Sequence, residues 1–159
     1  MKPVIRELRP GDRAAIESMV RATGFFSEEE VVVALELVDV ALGSENQTDY
    51  YFAVAELDGR PVGYACHGLR PLTLGTWDLY WIVVDPRVQR SGAGSALLAW
   101  SEADVRRRGA RMLVAETSGK PLYEPTRNFY LGRGYTEDAR IRDFYKPGDD
   151  LVMYIKRFI

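Results

Sequence analysis

A chain of 159 residues with 47% hydrophobic and 28% charged residues has the size of one domain and the composition of an ordinary globular protein, which excludes disordered and fibrous classes. Lys plus Arg number 21 against 23 for Asp plus Glu, and the net charge of −2 argues against a nucleic-acid partner. The lone cysteine, Cys66, cannot close an intrachain disulfide, and with one histidine, His67, the usual His/Cys metal sets are out of reach. No metal and a cytoplasmic location are therefore expected. Met1 to Gly11 lacks the apolar core of a signal peptide, and no apolar run approaches the roughly 18 residues of a membrane span, so no membrane partner is expected.

Val4 to Leu8 reads as an opening strand, and Asp12 is expected to be the N-cap of a helix through Ala14, Ile16, Met19 and Val20 that ends at Gly24. Ser27-Glu28-Glu29-Glu30 has the form of a capping box, which opens a second helix reaching Leu42-Gly43; its acidic first turn is accounted for by the helix dipole. Tyr50 to Leu57 and Pro61 to Leu69 flank Asp58-Gly59, a hairpin signal. After a turn over Arg70 to Gly75, Thr76 to Asp85 is the most strand-like stretch, and its apolar end predicts a central position in a sheet.

A helix is expected from Gly94 to Arg108, with Arg106, Arg107 and Arg108 at its negative end and Gly109 beyond it. Arg111 to Thr117 reads as a buried strand. Pro125 to Arg133 reads as a short helix started by Pro125 and Thr126, and Ile141 to Tyr145 pairs with Leu151 to Phe158 as a hairpin. No repeat or low-complexity segment divides the chain, so residues 1–159 are read as one α/β (α+β) domain.

Chemistry concentrates between Val84 and Ser95, where a central strand passes into a helix through Gln89-Arg90-Ser91-Gly92-Ala93-Gly94. Gly92 and Gly94 allow positive φ or a close backbone approach, and the first amides of the helix point outward toward the positive end of its dipole, which suits a pyrophosphate. The nucleotide-triphosphatase loop needs a lysine that is absent here, and Leu97 stands where the dinucleotide fingerprint needs its third glycine.

This segment resembles the acyl-CoA loop of the GNAT superfamily of N-acyltransferases, whose pattern is Gln or Arg, two residues, Gly, one residue, then Gly or Ala. Phe129-Tyr130-Leu131-Gly132-Arg133-Gly134-Tyr135 resembles the second signature of that family. The resemblance implies a mixed, mostly antiparallel sheet flanked by helices, with a splayed central strand pair that holds acyl-CoA. It further implies that the pantetheine arm pairs with the backbone of Ile82, Val83 and Val84, and that the pyrophosphate sits on the amides of Gln89, Arg90, Ser91, Gly92, Ala93, Gly94 and Ser95.

Acyl transfer from a thioester to an amine needs a neutral nucleophile, a donor for the oxyanion and a proton for the leaving thiolate. By the resemblance, Tyr130 supplies that proton and Asp78 occupies the place of a base, with Glu116 on the neighbouring strand the next candidate. The sequence departs from the family at Tyr123, where many members carry a cofactor-touching asparagine. Cys66 and His67 are adjacent in a strand and so point to opposite faces; Cys66 reads as a buried hydrophobe and His67 as a non-catalytic surface or cleft residue.

The function implied is transfer of acetyl from acetyl-CoA to a primary amine of a small molecule, peptide or protein, with no metal. The alternative is a non-catalytic acyl-CoA-binding module. Phe25-Phe26, Glu28 to Glu36 and Asp143-Phe144-Tyr145 would build the acceptor pocket, and a homodimer is left open by the resemblance.

Overall fold

The chain alternates apolar β-formers with capped helical stretches; the computed structural model describes residues 2–88 and 90–159, and among these described residues the stretches become seven strands and four α-helices. In order they are β1 (Val4–Glu7), α1 (Asp12–Ala22), α2 (Glu28–Gly43), β2 (Tyr51–Leu57), β3 (Arg60–Leu69), β4 (Thr76–Val84), α3 (Ala93–Arg107), β5 (Met112–Ser118), a 3-10 turn (Pro121–Tyr123), α4 (Glu124–Leu131), β6 (Thr136–Lys146) and β7 (Asp149–Arg157). The hydrogen-bonded strand order is β1-β2-β3-β4-β5-β7-β6. All pairs are antiparallel except β4 with β5, whose parallel register spans only Thr76–Leu79 against Met112–Ala115. The direction of β3 against β4 follows from two bonds at opposite ends, Arg70 N–H to Thr76 O and Asp85 N–H to Val62 O.

The residues gather into two compact units, one formed up to Gly68 and by Tyr80–Asp104, the other by Leu69–Leu79 and Val105–Ile159. In the first unit, β2 pairs Phe52 with Cys66 and Val54 with Tyr64 on one face, and α1 and α2 cover it with Ile16, Met19, Val20, Val31, Leu35 and Val38. The opposite face carries small residues, Ala53, Ala55, Gly63 and Ala65, so helix α3 can approach closely. A side chain at Gly63 would meet Leu97 Cδ1 at 3.1 Å and Val83 O at 3.0 Å, which is why no larger residue stands there.

Of the two expected helix starts, Ser27 is found as expected and Asp12 is not. Ser27 forms the full capping box, its hydroxyl accepting from Glu30 N–H while the Glu30 carboxylate accepts from Ser27 N–H. Asp12 is not an N-cap: α1 begins at Asp12, with Gly11 before it. The Asp12 carboxylate is taken instead by the Arg6 guanidinium at 2.7 and 2.9 Å and by the Arg9 amide at 2.7 Å. A planar guanidinium matches both carboxylate oxygens, so it outcompetes a single helix amide.

In the second unit, β7 lies between β5 and β6. Residues paired across the ladder share a face, so Leu79, Ala115 and Tyr154 point one way while Asp78, Val114 and Ile155 point the other. β6 starts at Thr136 rather than Ile141, and every residue in it is exposed. No helix among the described residues is long and apolar enough to cross a membrane.

Two measurements test this core. The Tyr64 hydroxyl is fully buried and finds no protein partner among the described residues, so Tyr64→Phe should leave stability unchanged or raise it by about 1 kcal/mol in urea unfolding. Burial pushes the Asp12 carboxyl up, but the Arg6 and Arg9 hydrogen bonds and charges outweigh it and hold it below the ordinary value. A depressed carboxyl stabilises the fold above its unfolded pKa of about 3.9, and that contribution is lost as pH falls through the folded value. Asp12→Asn should therefore cost about 2 kcal/mol at neutral pH, and the gap to wild type should shrink once the pH is taken below about 4.

Candidate active site

Two separate groups of side chains and amides bear chemistry, one in each unit. In the first, β4 ends at Val84 and the chain turns before α3. Asp85 organises this turn: its carboxylate accepts from the Arg87 amide at 2.9 Å and from the Arg87 guanidinium, and its carbonyl accepts from Val88 N–H. The Arg87 hydrogen bond, with burial opposing it, leaves the Asp85 carboxyl below its ordinary value. Arg87 also reaches Ser18 Oγ on α1 at 3.1 Å.

Arg90 (φ +57°) and Gly92 (φ +78°) are both left-handed, with Ser91 between them. Such alternation turns successive amides toward a common point, the geometry of an anion nest. Nothing lies within 4 Å of a Cβ built on Gly92, so its requirement is conformational rather than steric. Helix α3 opens at Ala93 with no acidic residue in its first turn to offset the dipole, and Ala96 N–H closes the first helical bond on Gly92 O at 3.1 Å. One expected amide is drawn inward: Ala93 N–H donates to Ser91 Oγ at 3.3 Å. Gly94 lies inside α3, Ser95 follows it in the first turn, and Gln89 lies outside the described residues. Ile82, Val83 and Val84 form the end of β4, Val83 buried and its neighbours half-buried.

The support under this turn was not legible in the sequence. His67 is fully buried, not at a surface or cleft as expected, because its Nε2 lies 2.7 Å from Oδ2 of buried Asp104 on α3. Its ring stacks on Tyr51 and sits 6.0 Å from Trp100. Cys66 on the opposite face is buried as expected, and burial pushes its thiol well up.

In the second unit, Tyr130 on α4 is buried against Phe129, Tyr135 and the stacked ring of Tyr154, at 5.5, 5.4 and 5.9 Å between centroids. Burial pushes its phenol well above the ordinary value, so it stays protonated throughout the neutral range. Arg127, one turn earlier, donates to Ser118 O and Lys120 O and so ties α4 to the end of β5.

Asp78 and Glu116 come together through Arg70, whose place in the turn before β4 gives no sequence signal of that role. Its Nε and Nη2 hold the two oxygens of buried Asp78 at 2.8 and 2.6 Å, and Nη2 also reaches Glu116 Oε1 at 3.1 Å. The hydrogen bond to Asp78, opposed by burial, raises the guanidinium pKa further. Glu116 is the first residue of β5 beyond its register with β4, and it is exposed where Asp78 is covered. Tyr130 packs on the Tyr154 face of the ladder, and the two carboxylates belong to the other. No group of three or more His, Cys, Asp and Glu side chains suited to a metal is found among the described residues.

Comparison with known proteins identifies the family. The profile of the acetyltransferase (GNAT) family matches residues 14–135. A solved structure from Desulfovibrio desulfuricans, assigned to the GNAT family of acetyltransferases, is 45% identical, superimposes with a TM-score of 0.93 and covers 98% of both chains. An uncharacterized N-acetyltransferase of Methanocaldococcus jannaschii is 26% identical over 155 residues, 97% of this chain and 91% of its own. An acetyltransferase structure from Salmonella typhimurium, solved with its cofactor acetyl-CoA, shares the fold at a TM-score of 0.77 and 20% identity, over 99% of this chain and 94% of that one. The chain belongs to the GNAT acetyltransferase family and is an acyltransferase.

Proposed function

We propose that the protein transfers acetyl from acetyl-CoA directly to a primary amine of a small molecule, peptide or protein. The observation that carries this reading is the left-handed Arg90 and Gly92 turn at the opening of α3, where amides and dipole favour a diphosphate. The Salmonella relative, named for its bound acetyl-CoA, supports the choice of cofactor.

The amine lone pair attacks the thioester carbonyl, a C–N bond forms, and collapse of the oxyanion breaks the C–S bond. The leaving sulfur takes the proton of Tyr130, whose phenol is kept protonated by burial. The ammonium proton passes through water to a carboxylate, because Tyr130 and the two carboxylates belong to opposite faces of the ladder. Glu116 suits that role better than Asp78, since both oxygens of Asp78 are engaged by Arg70 while Glu116 is the more exposed. Direct transfer is favoured because the one cysteine is fully buried with its thiol held neutral, which leaves no thiolate for a covalent intermediate.

CoA release, followed with a panel of amines and by product mass, should be lowered about 100-fold or more in kcat by Tyr130→Phe, with CoA binding retained. A protein that binds CoA but never releases it would instead be a binding module. Gly92→Val forces a β-branched residue to a left-handed φ at a cost of about 1–2 kcal/mol, so calorimetry should show CoA bound about tenfold more weakly. Unchanged affinity would remove the turn from the cofactor site.

A further inference from the structure

We infer that Arg70 is a positioning residue: clamped by both oxygens of Asp78, its guanidinium aims Glu116 at the proton it removes. The inference rests on the reading of Glu116 as proton acceptor. Three features support it. The backbone of Arg70 is fixed at both ends, its N–H donating to Thr76 O at 2.9 Å and its carbonyl accepting from the Thr73 hydroxyl at 2.8 Å. Its planar fork is locked on an anchor that is itself buried, the Asp78 side chain being 7% exposed against 39% for Glu116. The register places Asp78 and Val114 side by side, and Glu116 two residues further along β5 on the same face, so one guanidinium can span both carboxylates.

A lysine could not do this, because an ammonium is a point charge without a rigid two-pronged edge. The clamp uses the Asp78 carboxylate fully and engages Glu116 through Oε1 at 3.1 Å. Two carboxylates against one guanidinium also leave one negative charge in the cluster, which favours an acceptor that arrives as an ammonium. Misplacement of a proton acceptor by about 1 Å can cost on the order of 100-fold in rate, so loss of the clamp should appear in turnover rather than in cofactor binding.

The experiment measures thiol release from acetyl-CoA, by water alone and with each amine of the panel, in wild type, Arg70→Ala, Arg70→Lys, Glu116→Gln and the double variant Arg70→Ala/Glu116→Gln. The expected result is a fall of about tenfold or more in kcat for Arg70→Ala, with KM for acetyl-CoA within about twofold of wild type. Arg70→Lys should recover little. Added guanidinium ion should restore part of the Arg70→Ala rate, which a merely structural defect would not permit. The double variant should be no slower than Glu116→Gln alone. If Glu116→Gln is fully active, the reading of Glu116 fails and the inference with it. If Glu116→Gln is slow while Arg70→Ala is fully active, or is impaired but unresponsive to guanidinium, the inference alone is overturned.

Discussion

Parallel pairing over four residues, Thr76–Leu79 against Met112–Ala115, is the constraint on which the rest of the molecule turns. Antiparallel neighbours can be joined by a two-residue turn such as Asp58-Gly59, but a parallel pair needs a long crossover. Helix α3, fifteen residues from Ala93 to Arg107, lies in that crossover. Its presence sets a helix N-terminus shortly after the carboxyl end of β4, and the left-handed Arg90 and Gly92 arise in the short link that reverses the chain. Because the parallel register is so brief, β5 runs on past it to Glu116, whose side chain is left exposed.

Much of this could be read from local pattern. The capping box at Ser27, the Asp58-Gly59 turn, the central β4 and the Gly92 turn each depend on residues a few positions apart, so their signals survive without tertiary information. What escaped reading depends on distant partners. Arg70 meets Glu116 across 46 positions, and His67 meets Asp104 across 37, and no periodicity announces either. Asp12 was misread for the same reason, since its true partner lies on β1 rather than in its own helix. The start of β6 carries no such signal because Thr136 to Arg140 hold no large apolar residue, whereas Ile141, Phe144 and Tyr145 mark its later part.

The turn at Arg90 and Gly92 leads into a helix packed firmly on the sheet. Gly63 admits Leu97 close to the sheet, and one and two turns further along the helix Trp100 and Asp104 meet His67 from the same side. Leu97, Trp100 and Asp104 recur at three- and four-residue spacing, one stripe of α3 held by apolar packing at one point and by a buried polar pair at another. A helix fixed this way cannot slide without breaking the His67 and Asp104 contact, so the orientation of its opening amides is inherited from the core.

The outermost strand, β6, has β7 on one side, and no strand among the described residues pairs with its other edge. An open edge eleven residues long invites a foreign strand to add to it, yet this one is poorly suited to growth. Glu137, Asp138, Arg140, Arg142, Asp143 and Lys146 crowd it with charge, the register slips between Ile141 and Lys146, and Asp143 takes a φ of +55° that breaks the flat ribbon. Phe144 and Tyr145 stand in solvent on that strand, and neutralising the charges around them would leave an edge better suited to adding a foreign strand.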